Sequence, residues 1–370
     1  MAAPEPNVDK PESDDEKAKR AARQAEYMKR AAGNCRVERK GRRASLKKRE
    51  TYDAITRATQ RLQGLAHPDQ PYVVIRSEFL LLGTPRPYPP PARQPENIAT
   101  RPSLTRVHHG KNPHAVPLYL NGFFEYQMRA AYRNSPGAPP EPSRRRNAVN
   151  NPLDKATNWI TLTALDIDGV HIRNQRKSFT RALDALRKWD LVSLGDTGQR
   201  YAKFKFRRED GSGREYTIPQ GTPIAPKHFC IPTEFFTAGW HLVLTPNELV
   251  TFLALCHVAD LRLRHDGSTI MFLAEQFRYS LLGLTDEAYV SIHELAEFGL
   301  IEVTDPMPNR KRGRIQLGGT GGKPPEPYNI SVPMFGGKPS TDALFDRSKF
   351  DTPAIDRVIF NLGFQAPRFM

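Results

Sequence analysis

One stretch near the middle of the chain joins a helical pattern to a strand pattern. Phe179, Leu183 and Leu186 recur at i, i+4 and i+7, which places them on one face of a helix. An apolar run starts at Leu191, and basic and aromatic residues then alternate with period two over 200–208, as in a half-buried strand. The stretch therefore predicts a helix followed by a two-stranded hairpin.

The same pattern recurs 109 residues later, over 287–303, in an alignment without gaps. The alignment matches the apolar positions of both copies: Leu183 with Ile292, Leu186 with Leu295, Trp189 with Phe298, Leu191 with Leu300 and Leu194 with Val303. Residues 74–80 also resemble 230–236, and 216–219 resemble 328–333. Three matching blocks in the same order indicate a tandem duplication. The alternative is two unrelated helix–strand segments that share a leucine pattern.

A helix that leads into two strands is the second half of a winged helix, whose second helix of the helix-turn-helix pair enters the DNA major groove. We therefore predict an α+β, mainly helical protein with two tandem winged-helix domains, over 72–219 and 228–333. Trp189 and Phe298 should be equivalent buried residues at the corner between helix and strand.

Helix signals are clear in both copies. In the first, apolar spacing predicts a helix over 118–132. In the second, Thr245 caps a helix that runs from Pro246 to Leu261, a further helix covers 273–281, and Thr285 caps the third. The proline-rich insert 83–116 should be a surface loop without regular helix. A C-terminal tail, 334–370, should contain one short helix over 354–362.

Charge points to a polyanionic partner. The chain has 55 Lys and Arg against 40 Asp and Glu, a net charge of +15 and a pI of about 9.8. Residues 1–16 are acidic and should be disordered. Residues 17–65 should form a basic helical arm, since 17–49 alone carry a net charge of +12. Such an arm either binds nucleic acid or is a solvated tail, and we favour the first.

The two copies also differ in the net charge of their aligned helices. The window 173–188 carries +5, whereas the aligned window 282–297 carries −4. The first copy should therefore place its helix in the major groove, and the second should touch DNA, if at all, through its wing tip. The residues predicted to bind DNA are Arg173, Arg176, Lys177, Ser178, Arg181, Lys188, Lys203, Lys205, Arg310, Lys311, Arg312 and Arg314. The acidic helix of the second copy would be free to bind another protein or a second copy of the chain; the alternative is that both helices are simply solvated.

No pattern indicates catalysis, a cofactor or a metal. The three cysteines form no CxxC pair, and His108, His109 and His114 lack the spacing of a nicking enzyme. The glycine-rich segment 318–323 is one residue too short for a phosphate loop and leads into prolines. No signal peptide or long apolar run is present, which predicts a cytoplasmic protein. DNA binding would make it nucleoid-associated. Since no catalytic pattern is found, we also predict that it is not an enzyme.

Two winged helices in one chain, each led by an Ile-x-x-Glu-Phe motif at 75–79 and 231–235, resemble tandem winged-helix plasmid replication initiators. The resemblance is architectural and covers about 72–333. It implies binding to repeated sites at an origin, recruitment of host replication proteins, and a balance between monomer and dimer. The composition, rich in Pro, Ala and Arg, suggests a GC-rich bacterial source.

Three functions remain open from the sequence. The first is a DNA-binding replication initiator of a plasmid or mobile element. The second is a transcriptional regulator with the same fold. The third is a winged-helix scaffold that binds protein and whose charge is incidental.

Overall fold

The computed structural model describes residues 35–88, 97–134, 158–198, 200–219, 228–306, 326–335 and 344–364. These residues form an α+β protein that is mainly helical and has small antiparallel sheets. The helices are α1 (35–46), α2 (Arg49–Gln63), α3 (Ser103–His109), α4 (Ala115–Asn134), α5 (Trp159–Leu162), α6 (Ile172–Arg187), α7 (Thr233–Thr237), α8 (Trp240–Val243), α9 (Pro246–Asp266), α10 (Glu275–Phe277), α11 (Asp286–Tyr289), α12 (Ile292–Glu297) and α13 (Ala354–Asn361). The strands are β1 (Tyr72–Arg76), β2 (Val192–Ser193), β3 (Lys205–Phe206), β4 (His228–Pro232), β5 (Ile270–Met271), β6 (Glu302–Thr304), β7 (Asn329–Ser331), β8 (Met334–Phe335) and β9 (Leu344–Phe345).

The strands that carry the two Ile-x-x-Glu-Phe motifs pair with each other. β1 and β4 are antiparallel, and Val74 lies opposite Cys230, its equivalent in the repeat. Antiparallel pairing centred on equivalent residues relates the two strands by a local twofold axis. A short helical turn follows each strand, and both motif phenylalanines, Phe79 and Phe235, are buried. The predicted matching of the two leader blocks is thus reproduced in three dimensions.

The corners between helix and strand are also equivalent in their backbones. Asp190 has φ 57° and Gly299, its counterpart, has φ 72°. The next amide bonds back to the helix in both copies, from Leu191 N to Leu186 O at 3.2 Å and from Leu300 N to Leu295 O at 3.0 Å. A left-handed residue after a helix allows this bond, which satisfies a free helical carbonyl.

The side chains at these corners differ, so the prediction of equal burial is wrong for Trp189. Phe298 is 1% exposed, whereas Trp189 is only half-buried. The Arg106 guanidinium lies 5.4 Å from the Trp189 ring centroid and forms part of its cover. The indole therefore packs at the edge of the first repeat, and the phenyl ring is inside the second.

The prediction of a purely irregular insert is wrong as well. Its residues 103–109 form α3, in which Leu104 and Val107 are buried and which packs against α4 and α9. The helix forms because residues 103–109 contain no proline and because two apolar residues recur there at helical spacing. Earlier in the insert, Arg86 N donates to Ser280 O at 2.9 Å. The described part of the insert therefore joins the first repeat to the second.

The second repeat follows its predicted order with changes in length. Thr245 caps α9 in a capping box with Glu248, as predicted, but the helix continues to Asp266. The next predicted helix is reduced to α10 and a π-helical turn, Arg278–Leu282. Thr285 caps the third, which divides into α11 and α12. The strands β5, β7 and β6 then form an antiparallel sheet in that order. In the C-terminal tail, the predicted short helix is α13.

The described part of the basic arm, residues 35–65, has a face that packs into the core. In α1, Leu46 is buried, and Arg39 is 6% exposed. In α2, one face buries Ile55, Ala58 and Leu62 against the two repeats. An arm that is packed in this way is part of the folded unit rather than a free tail.

Buried histidines make the fold sensitive to acid. His257 in α9 is fully buried, neither ring nitrogen has a hydrogen-bond partner among the residues that the structure describes, and burial lowers its pKa to about 4. Burial likewise lowers the pKa of His241 to about 3. Both are neutral when folded, so the unfolded chain, in which a histidine has a pKa of about 6.5, binds protons first as the pH falls.

We predict that the stabilising effect of neutral His257 is present above pH 6.5 and is lost as the pH falls from there toward 4. Between pH 7 and pH 5 this loss amounts to about 2 kcal/mol of unfolding free energy. Urea unfolding at several pH values should show the slope, and His257→Leu should reduce it. His265→Leu, which alters an exposed histidine near the end of the same helix, is the matched control. Equal slopes in wild type and His257→Leu would contradict this prediction.

Candidate nucleic-acid interface

The structure places α6 on the surface of the first repeat with one side firmly packed. Phe179, Ala182, Leu183 and Leu186 are buried, and the helix packs against α4 and α5. His171 caps its first turn, because its Nδ1 accepts from Arg173 N at 3.2 Å. The helix is therefore held as a rigid element with its polar side outward.

The outward side of α6 is a basic stripe, which we define as Arg173, Lys177, Arg181 and Lys188. Their spacing of four, four and seven residues places them in one row, and all four are exposed. No carboxylate of the described residues forms an ion pair with any of them. The first three span about 12 Å of helix, at 1.5 Å per residue. The stripe thus presents uncompensated positive charge to solvent.

Two other predicted residues of α6 face the domain more than the solvent. Arg176 is half-buried, and its Nε is buried without a hydrogen-bond partner. Ser178 is half-buried too, next to buried Phe179. The structure therefore separates the predicted helix residues into an outward row of four and an inner pair.

The hairpin after α6 carries further basic residues. The predicted strand over 200–208 is regular only at β3, which pairs with β2. Around it the predicted alternation holds, with Lys203 and Lys205 exposed and Phe204 6% exposed against Trp159 and Phe179. The two lysines therefore face solvent from the same hairpin that Phe204 fastens to the core.

Asp184 is the one acid of the basic window, and its charge is engaged by the hairpin. Its Oδ1 accepts from Arg200 Nη2 at 3.0 Å, and its Oδ2 accepts from the Tyr201 hydroxyl at 2.8 Å. Burial raises the pKa of the Tyr201 hydroxyl, and the hydrogen bond to Asp184 raises it further. The carboxylate therefore connects the hairpin to α6, and Arg200 balances part of its negative charge.

The equivalent helix of the second repeat is acidic but is not free, contrary to prediction. Arg39 of α1 binds Glu294 and also Glu297, the latter at 2.7 Å. Burial raises the pKa of Glu294, and the same two carboxylates hold the pKa of Arg39 above its ordinary value although burial opposes this. Next to it, Arg42 binds Glu248 at 2.6 Å. The arm arginines thus bind this chain's own acids.

One predicted group of site residues is not tested, and three residues that the structure brings to these helices were not predicted. The wing tip with Arg310, Lys311, Arg312 and Arg314 lies outside the described residues. By contrast, Arg200, Tyr201 and Arg39 were missed from the sequence. Arg39 and Glu294 are 255 positions apart, and no local periodicity marks such a pair.

Among the described residues, no three His, Cys, Asp or Glu side chains are grouped as metal ligands would be. Within the same parts of the chain, no helix combines the length and apolarity needed to cross a bilayer. Comparison of the chain with family models, with curated proteins and with solved structures gives no significant match.

Proposed function

We propose that this chain binds duplex DNA through the basic stripe of α6. The observation that carries the proposal is a row of four exposed cations on a helix whose other side is fixed in the core. A helix is about 10–12 Å wide with its side chains, and the major groove is about 12 Å wide. Phosphates supply about one negative charge per 1.7 Å of duplex, which attracts such a row.

The winged-helix interpretation belongs to this proposal. Two features support it: the β5–β7–β6 sheet, whose strand β5 precedes α10–α12 and whose strands β6 and β7 follow them, and the hairpin β2–β3 that follows α6. In helix-turn-helix proteins the N-terminal residues of the second helix contact base edges. Arg173 and Lys177 lie at this end of α6 and would read bases, while Lys203 and Lys205 would contact the backbone.

Binding to random-sequence duplex of about 30 base pairs tests the proposal. We expect a shifted complex at about 50 mM salt that weakens steeply by 200 mM, because phosphate contacts release counterions. Absence of any complex at about 50 mM salt would overturn the proposal and favour a role in protein binding.

We further propose that the DNA bound is a replication origin of a plasmid or mobile element, as the resemblance to tandem initiators implies. Selection of bound fragments from the source genome separates this role from transcriptional regulation. Repeated sites at an origin would support initiation, whereas single sites upstream of promoters would contradict it and indicate a regulator.

A further inference from the structure

Arg200 lies at the basic stripe although it belongs to the hairpin. Its partner Asp184 is three residues after Arg181, seven after Lys177 and four before Lys188, so it stands in the same row of α6. The 3.0 Å bond to Asp184 therefore brings a fifth guanidinium or ammonium group into the row. Asp184 is the one acidic residue in this row, and by binding Arg200 it adds a further positive side chain to the row.

The Arg200 side chain is held in place yet remains accessible. Asp184 binds one of its Nη groups, and its guanidinium carbon lies 5.3 Å from the Tyr201 ring centroid. Tyr201 itself is fixed by the 2.8 Å bond from its hydroxyl to the other Asp184 oxygen. The side chain of Arg200 is still 45% exposed, and a guanidinium has five N–H donors, so the bond to Asp184 leaves donors for a ligand.

We propose that Arg200 is a guanine-reading residue of the DNA site, and that Asp184 and Tyr201 are its positioning residues. This inference rests on the proposed binding of duplex DNA. Guanine presents O6 and N7 side by side in the major groove, and these accept from the two-pronged donor edge of an arginine. A guanidinium already fixed by a carboxylate and a ring loses less conformational entropy when it forms that pair.

A base contact fits this arrangement better than a phosphate contact. A phosphate is attracted by charge from many directions, and the exposed Lys203 on the same hairpin already suits that role. A carboxylate beside the arginine lowers the local positive charge and would weaken a purely electrostatic contact. The same carboxylate fixes the plane of the guanidinium, which matters only where the contact is directional.

The test uses the full chain and duplexes selected by the wild type from a random library. Each guanine of the selected site is replaced in turn by 7-deazaguanine, which lacks the N7 acceptor. For wild type we expect one guanine whose replacement lowers affinity about 10- to 100-fold. Arg200→Lys keeps the positive charge but lacks the two-pronged donor edge of the guanidinium. Its binding should therefore lose the sensitivity to 7-deazaguanine and keep the same dependence on salt.

Asp184→Ala separates positioning from a structural role. Removal of a negative charge should raise affinity for random duplex, while sensitivity to 7-deazaguanine at the same position should fall. Lys203→Ala is the matched control, and it should weaken binding to all duplexes and leave that sensitivity unchanged. Thermal unfolding of each variant confirms that it is folded.

Two results would overturn the inference. One is an Arg200→Ala variant that loses affinity equally for all sequences with a salt slope smaller by about one, which would make Arg200 a backbone contact. The other is an Arg200→Ala variant with unchanged selectivity. Failure of the wild type to bind any duplex would instead refute the proposed function, and with it this inference.

Discussion

Replacing Arg173, Lys177 and Arg181 together by Ala should lower the affinity for selected duplex DNA by about 100- to 1000-fold. Each side chain that contacts a base or a phosphate in the groove contributes on the order of 1 kcal/mol or more, and the three lie in one exposed row. Since Arg173 and Lys177 are proposed to contact bases, only Arg181 is left to release counterions as a phosphate contact, and the slope of log affinity against log salt should fall by about 1. Titrations at several salt concentrations measure both quantities.

The matched control removes the same charge elsewhere. Arg61, Lys111 and Arg262 are also exposed, but they lie on α2, after α3 and on α9. Their replacement by Ala should change affinity by less than about tenfold, since only long-range attraction is reduced. Equal losses in the two triple variants would show that net charge alone, and not α6, determines binding.

Phe298→Ala should lower the free energy of unfolding by about 3–5 kcal/mol, because it empties a fully buried ring site in the second repeat. The ring lies beneath the Arg42 guanidinium, 5.4 Å from its centroid, so its loss should also loosen the contact between α1 and α12. Trp189→Ala at the equivalent corner should cost about half as much, since the indole is half-buried. Urea unfolding of both variants measures the difference.

Equal losses in the two variants would contradict the different burial of the two corners. Binding to duplex DNA gives a second comparison, because the proposed site lies in the first repeat. Phe298→Ala should bind normally at temperatures where it is folded. A DNA-binding defect in that folded variant would assign the second repeat a direct role.

The elements that the sequence predicted well are those specified by neighbours within a few positions. The apolar face of α6, the capping box of Thr245 and Glu248, and α13 all follow from spacings of three or four residues. The duplication was visible because it repeats such local patterns at a constant offset. The four basic residues of the stripe were among those predicted to bind DNA, but the sequence did not separate them from Arg176 and Ser178, which are half-buried.

Predictions failed where a distant segment decides the outcome. From the sequence, the acidic side chains of α12 were predicted to be free to bind a partner. In the structure, Arg39 of α1 binds two of them. The insert was predicted to be a loop because seven of its prolines precede or border the residues that form α3. Trp189 aligned with a core residue, yet its burial depends on what each repeat packs against.

The sequence by itself therefore indicated the long helices α4, α6 and α9 and the apolar face of α6, and it predicted two related copies, but it missed α3. Only the tertiary structure decided how charge is distributed among partners. Ion pairs between positions such as Arg39 and Glu294, or Asp184 and Arg200, carry no periodic signal, because they depend on where whole elements pack. Among the described residues, that packing leaves the four cations of the α6 stripe without an ion-pair partner and covers the acidic counterpart in the second repeat.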